Sequence, residues 1–186
     1  MIDHVEFSCF SPQKIRDISV CEVVTDELYD EGRPKTGGLR DPKFGVSSRR
    51  GICTACQRTW TQCSGHFGHY ELPFPMYHIG WVSEVLFWLR KTCIHCGHVS
   101  AKKLGKKCPK CSASVVKISK LNSTTLKITD SAGIRDLFAP EVFEIFQKIS
   151  DEDIQAIRKD HFHPSWLLLT VLPIPPNCVR PSPTMD

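Results

Sequence analysis

No stretch of eighteen apolar residues occurs in the 186-residue chain, so the sequence offers no membrane-spanning helix. The longest apolar run near the C-terminus, Trp166 to Leu172, is interrupted by Thr170 and stopped by Pro173. The opening Met1-Ile2-Asp3-His4-Val5-Glu6 lacks the basic start and apolar core of a secretory signal, so export is not indicated. No H-E-x-x-H is present, which removes the commonest hydrolytic zinc motif. His69-Tyr70-Glu71 reads H-x-E, as in zinc deaminases, but the P-C-x-x-C that should follow is missing: Thr92 and Lys107 precede the downstream cysteine pairs. Acid is scarce where base is dense. Val85 to Thr129 holds ten Lys or Arg and no Asp or Glu.

What the chain has is cysteine, ten in all. In a secreted protein ten would suggest disulfides; in a reducing compartment they suggest metal. Six of them form three C-x-x-C pairs, beginning at Cys53, Cys93 and Cys108. Cysteines that close together make poor structural disulfides with each other and good partners around one ion.

The first cluster is Cys53-x2-Cys56-x6-Cys63-x2-His66-x2-His69. Zinc takes four thiolate or imidazole ligands in a tetrahedron. Cys53, Cys56, Cys63 and His66 supply them; His66 has the two-residue spacing from Cys63, and His69 is the competing fourth ligand. Gly51, Gly65 and Gly68 are read as the residues allowing positive φ in the turns. The second cluster is Cys93-x2-Cys96-x11-Cys108-x2-Cys111, a zinc-ribbon spacing with His95 and His98 close by. Each cluster offers four good ligands and leaves no open position for water, so two structural Zn²⁺ are expected and no catalytic one. A cross-braced RING is disfavoured, because only six residues separate Cys56 from Cys63. Cys9, Cys21 and Cys178 remain as small apolar residues.

The formal charge of +4 falls to +1 once seven thiolates and two dications are included. Distribution therefore matters more than the total. Lys102, Lys103, Lys106, Lys107 and Lys110 lie in the second metal loop, and Arg49 and Arg50 precede the first. These are the candidate nucleic-acid contacts; the alternative is a solvated face that balances a four-thiolate zinc. The lysine loop has no Phe, Tyr or Trp, so it suits a duplex backbone rather than unpaired bases.

Periodicity gives a coarse outline. Val5–Phe10 and Val20–Val24 read as short strands, with Ser11 capping a helix that Pro12 opens and that runs to about Ile18. Residues 29–50 read as an irregular loop. Pro73 and Pro75 are taken to break the chain. Ile79–Arg90 has a helical stripe, with Trp81, Phe87 and Trp88 either in the core or facing a partner. Thr/Ser/Val-rich sequence from Val115 to Ile128 suggests strands. Pro140–Ile149 is an amphipathic helix, Ser150 caps another to about Lys159, and Pro173–Thr184 is extended.

Several motifs together resemble a known family. Phe10-Ser-Pro-Gln-Lys-Ile-Arg-Asp-Ile-Ser19, Pro34-Lys-Thr-Gly-Gly-Leu-Arg-Asp-Pro-Lys-Phe-Gly45, Cys63-Ser-Gly-His-Phe-Gly-His-Tyr-Glu-Leu72, Pro75-Met-Tyr-His78 and Leu172-Pro-Ile-Pro-Pro-Asn-Cys-Val-Arg-Pro-Ser182 occur in order. They resemble the N-terminal motifs of the largest subunits of multi-subunit, DNA-directed RNA polymerases. The resemblance implies an α+β fold: an irregular, zinc-stabilised clamp core over residues 1–186, with zinc modules at 51–70 and 91–113 and a Pro-rich exit at 173–186. It implies zinc at Cys53, Cys56, Cys63 and His66, and at Cys93, Cys96, Cys108 and Cys111. It also implies partners: the remainder of the largest subunit, the second-largest subunit, template DNA and the RNA–DNA hybrid. No membrane partner is implied.

Eukaryotic and archaeal enzymes carry such a pair of sites, and large DNA viruses share the layout. The tighter second site suggests a divergent, viral lineage, so the expected location is intracellular: the nucleus, or virion and host cytoplasm. The family's Mg²⁺-binding aspartate loop has no match here. The chain is expected to be a piece of a subunit, fragment or split, without polymerase activity by itself. A stand-alone zinc protein that binds nucleic acid or a protein partner is the alternative.

Overall fold

The computed structural model describes residues 9–46, 48–122, 125–130, 133–157 and 162–180. They fall into two units. One comprises Met1–Cys9 and Phe74–Thr170, the other Phe10–Pro73 and Val171–Asp186. The elements are short, with four helices and eight strands among the described residues. The fold is a mixed helix-and-sheet one, as expected.

In the unit around Phe10–Pro73, Ser11 caps α1 (Pro12–Ile18), its hydroxyl accepting the Lys14 N–H at 3.1 Å. The chain passes directly into β1 (Ser19–Glu22), slightly earlier than the expected strand. The strand foreseen at Val5–Phe10 lies mostly outside the described residues. Residues 29–50 are irregular apart from the two-residue pair β2 (Tyr29–Asp30) and β3 (Arg33–Pro34) and a 3-10 turn at Pro42–Phe44. β4 (Phe67–Tyr77) differs from the sequence reading: it runs eleven residues, straight through Pro73 and Pro75. Its parallel ladder with β1 pairs Ser19 with Phe67 and Glu22 with His69. The prolines lie beyond this ladder, so their missing N–H groups cost it nothing. β1, β4 and β8 (Leu168–Ile174) form a sheet in the order β1-β4-β8.

Among its described residues this unit has few buried apolar side chains: Ile15, Val23, Phe44, Cys53 and Val171. A polar framework supplements them. The buried Asp41 carboxylate accepts the N–H groups of Gly37 at 2.7 Å and Lys43 at 2.8 Å, and the Asn177 amide donates to the Asp41 carbonyl at 3.4 Å. Arg180 donates to the carbonyls of Pro175 at 2.8 Å and Leu39 at 3.0 Å while its guanidinium lies over the Phe44 ring. Two motifs some 140 residues apart in sequence thus hold each other. Replacing Arg180 with alanine strands two inward carbonyls, and the expected loss is about 2–3 kcal/mol in a urea titration.

The other unit has a conventional core. α2 (Val82–Leu89) follows a 3-10 turn at Ile79–Trp81 and buries Val82, Val85, Leu86, Trp88 and Leu89. Trp88 is core; Trp81 and Phe87 are exposed. β5 (Lys117–Lys120), β6 (Leu126–Asp130) and β7 (Gly133–Leu137) form an antiparallel sheet in that order. Leu126 and Ile128, two residues apart on β6, turn to the core with Ile118 and Leu137. α3 (Ala139–Gln147) adds Val142, Ile145 and Phe146, spaced for one helix face. Ser150 caps α4 (Asp151–Gln155) through the Asp153 N–H, as expected. The helix foreseen to about Lys159 ends at Gln155, with Ala156 and Ile157 in a turn, and the tail foreseen as extended makes a 3-10 turn at Asn177–Val179; residues 181–184 lie outside the described residues.

Candidate metal centres

Both clusters are built on one repeated local structure. In each C-x-x-C pair the first cysteine's N–H bonds forward to the carbonyl five residues on: Cys53 to Arg58, Cys93 to His98, Cys108 to Ala113, all at 2.9 Å. Its carbonyl accepts the N–H four residues on, again at 2.9 Å, from Gln57, Gly97 and Ser112. Those three residues are the ones held at positive φ: 59°, 72° and 58°. Three isolated antiparallel bridges, Ile52 with Thr59, Thr92 with Val99 and Lys107 with Ser114, close the turns.

The glycines do different work from that expected. Gly65 has positive φ, whereas Gly51 and Gly68 are not among the positive-φ glycines. Gly68 is needed for room, since a Cβ there would stand 2.2 Å from Phe44 Cε1. Gly97 is needed twice over: it has positive φ, and a Cβ would stand 2.2 Å from the Lys148 carbonyl oxygen. Gln57 and Ser112 bear the same backbone conformation without being glycine, which the sequence did not signal.

The ligand atoms of Cys53, Cys56, Cys63 and His66 lie within 4.8 Å of one another, as do those of Cys93, Cys96, Cys108 and Cys111. A tetrahedral zinc with ordinary bond lengths implies S···S edges of about 3.8 Å and S···N edges of about 3.6 Å. Cys93 and Cys111 Sγ are 3.6 Å apart, Cys96 and Cys108 Sγ 3.7 Å, and Cys63 Sγ lies 3.6 Å from His66 Nε2. These spacings are far longer than the ~2.05 Å of a disulfide, and all ten cysteines are free. The donor sets fit zinc in both places.

His69 takes no part in the first cluster. Its Nδ1 is 2.7 Å from Ser19 Oγ, and its Nε2 faces Glu71, whose carboxylate is held by Arg16 through two hydrogen bonds. Arg16 accordingly draws the Glu71 pKa down. His95 is exposed, and His98 Nδ1 sits 3.4 Å from Asp153 Oδ2, so neither competes for the second cluster.

Backbone dipoles are already aimed at the sulfurs. The Cys111 N–H foremost, with that of Lys110, outweighs burial and draws the Cys108 thiol down to about 6. Burial pushes Cys96 up to about 12. At the first cluster burial opposes ionisation of Cys53, but the N–H groups of Cys56 and Ala55 and the neighbouring thiols prevail and lower its pKa. The folded pKa of Cys108 lies below the ordinary thiol value near ~8.5. Its thiolate therefore stabilises the fold fully above that value and loses this effect as the pH falls through about 6. Protons and metal compete for the same sulfurs. Zinc should accordingly stay bound through dialysis at about pH 7.5 and leave at about pH 5, and elemental analysis of the two samples checks this.

The candidate nucleic-acid residues are all at the surface. Lys102, Lys103, Lys106 and Lys107 are exposed on the loop between Cys96 and Cys108, anchored by the buried Leu104. Arg49 and Arg50 are exposed just before the first knuckle. The structure places these two groups on separate modules.

Comparison with known proteins gives a consistent answer. The family model described as RNA polymerase Rpb1, domain 1, matches residues 1–107 and 100–186. The two stretches overlap inside the lysine-bearing loop. The DNA-directed RNA polymerase subunit Rpo1N of Sulfolobus acidocaldarius is 33% identical over 222 aligned positions, which cover all of this chain and 25% of that subunit. Rpo1N of Methanocaldococcus jannaschii is 33% identical over 220 positions, covering all of this chain and 16% of the relative. Rpo1N of Methanothermobacter thermautotrophicus is 32% identical over 219 positions, covering all of this chain and 25% of the relative. The chain spans a quarter or less of the length of these relatives. The alignments are longer than its 186 residues, so the relatives carry residues that it lacks. With a whole-length family match laid over two closed four-donor clusters, the chain belongs to the first-domain family of the RNA polymerase largest subunit, corresponding to an N-terminal part of that subunit.

Proposed function

We propose that this chain is part of the clamp of a DNA-directed RNA polymerase, closing over downstream DNA and the RNA–DNA hybrid during templated RNA synthesis. The observation that carries the reading is the family match along the entire chain. Cys53, Cys56, Cys63 and His66 would hold one zinc, and Cys93, Cys96, Cys108 and Cys111 the other. Bound zinc supplies a cross-link rather than chemistry, because four protein donors leave it no open position. The modules at 51–70 and 91–113 become stiff extensions of their units, able to transmit small hinge motions as rigid-body displacement. Catalysis, with its Mg²⁺, belongs to another part of the complex, and this chain by itself is inactive. Its place is intracellular, in the nucleus or, for a viral enzyme, in virion and host cytoplasm.

The partners are the remainder of the largest subunit, the second-largest subunit and nucleic acid. Coexpression with the second-largest subunit tests the first two. A tagged chain should retain that subunit in near-equal amount; a zinc-loaded chain that purifies alone while the subunit flows through contradicts the proposal. Lys102, Lys103, Lys106 and Lys107 would neutralise duplex phosphates. Changing all four to alanine should flatten the dependence of log K on log salt by up to about 4, since each phosphate contact contributes roughly 0.9.

A further inference from the structure

Arg49, Arg50, Ile52, Arg58 and Trp60 are all exposed on or beside the first knuckle. No acidic residue occurs between Asp41 and Glu71. Among the described residues no carboxylate lies within ion-pairing distance of Arg49, Arg50 or Arg58, and all three are exposed. Two large apolar side chains of the same knuckle are exposed. Trp60 is 48% exposed and Ile52 62%. Ile52 is bridged to Thr59, the residue before Trp60, so both belong to one small ribbon. The Arg49 guanidinium carbon sits 5.9 Å from the Trp60 ring centroid, holding the indole at the surface as a cation–π pair. Gln57, Thr59, Thr61 and Gln62, close to it in sequence, are exposed neutral hydrogen-bonding residues.

An indole and an isoleucine thus stay in water on a knuckle whose arginines, among the described residues, meet no carboxylate. An unpaired nucleic-acid strand matches each part of the patch. Its phosphates meet the arginines, and a base meets the ring. Every base has a π-face, so such stacking is tolerant of sequence. A duplex offers only its backbone to the same surface, because its bases are already stacked. The second module carries the opposite combination, exposed lysines with no aromatic residue between Cys96 and Cys108.

We infer that the first metal knuckle is a stacking platform for single-stranded nucleic acid, with Trp60 as the base-stacking residue and Arg49, Arg50 and Arg58 as its phosphate contacts. The inference rests on the reading that this chain meets nucleic acid, and it divides the task. The platform takes an unpaired strand, and the lysine loop takes duplex.

The test is fluorescence anisotropy of labelled oligo-uridylate RNA, oligo-thymidylate DNA and a DNA duplex with the zinc-loaded 186-residue chain. Trp60→Ala should weaken single-strand binding about ten-fold, and Trp60→Phe, which keeps an aromatic face, only about two-fold. Duplex binding should be unchanged in both. Loss on RNA alone identifies a transcript-like ligand, loss on both strands identifies a sugar-indifferent one, and either result supports the platform. A readout that needs no variant is photo-crosslinking of a 5-iodouridine oligomer, which should label the tryptic peptide beginning at Thr59. Unchanged single-strand affinity in Trp60→Ala, an equal loss on duplex, or crosslinks confined to other peptides overturns the platform and leaves the lysine contacts standing. A wild-type chain that binds none of the three oligomers removes both readings.

Discussion

Changing Cys108 to serine is expected to halve the metal content of the chain, from two zincs to one, and to release residues 91–115 from their folded form. Cys108 is a buried candidate ligand in the second cluster, 3.7 Å from Cys96 and packed with Leu104 and Cys93 in a satellite core of three buried residues among those described. Outside that satellite core the loop meets the main core only through Val99 and the partly buried Ile94, among the described residues. A serine hydroxyl does not ionise at neutral pH and is a poor zinc ligand. Structural zinc supplies about 10–16 kcal/mol in zinc-finger peptides, so losing one ion exceeds what a three-residue core can offset. The core formed by Trp88, Phe146, Leu126 and Leu167 is a separate apolar cluster and should remain. Amide exchange would thus show loss of protection confined to the loop and to its anchor points at Asp153 and Lys148. Full retention of two zincs by the variant, or unprotected amides throughout α2 and α3, would argue against a local fastener.

Gly68→Ala is the second large effect. The added methyl would sit 2.2 Å from Phe44 Cε1, 2.6 Å from Phe44 Cζ and 2.8 Å from the Cys21 carbonyl oxygen. Phe44 is completely buried, lies beneath Arg180, and through its carbonyl accepts the His66 N–H at 3.1 Å. Any displacement of the ring therefore reaches His66, a member of the first four-donor cluster. Overpacking of this kind costs about 1–3 kcal/mol and occasionally more, and the upper end applies where a carbonyl as well as a ring stands in the way. In a unit with so few buried apolar side chains, that is enough to unfold much of the population. Phe44→Leu should restore part of the loss in the double variant by vacating the space the methyl needs. The coupling energy from the four-membered cycle should be about 1–2 kcal/mol in the compensating direction. Additive losses would mean that the ring and the glycine do not oppose each other.

The two four-donor groupings were legible because the C-x-x-C spacing gathers their side chains. Two residues between cysteines generate the same knuckle three times, whatever the rest of the chain does. His66 over His69 was legible for the same reason, although the partner His69 finds in Ser19 could not be read across 50 residues. Helices with caps were legible too: Ser11 and Ser150 each accept the N–H that a cap should. β4 was not, because two prolines read as a break wherever the neighbouring strand is unknown. β7 was missed because Gly-Ile-Arg-Asp-Leu shows no alternation, and four of its five residues face solvent. The framework of Asp41, Asn177 and Arg180 was visible only as motifs. Its purpose appears once residues 37–44 and 175–180 are brought together under the first cluster. Long-range polar pairing leaves no periodic trace in a sequence.

Elemental analysis of the purified, folded chain tests the metal-fastened scaffold most directly. Two zinc atoms per molecule, lost to a chelator together with amide protection at both sets of knuckles, is the expected result. Fewer than two zincs in a chain that keeps its fold, or a disulfide at Cys53, Cys63, Cys96 or Cys108, would contradict it.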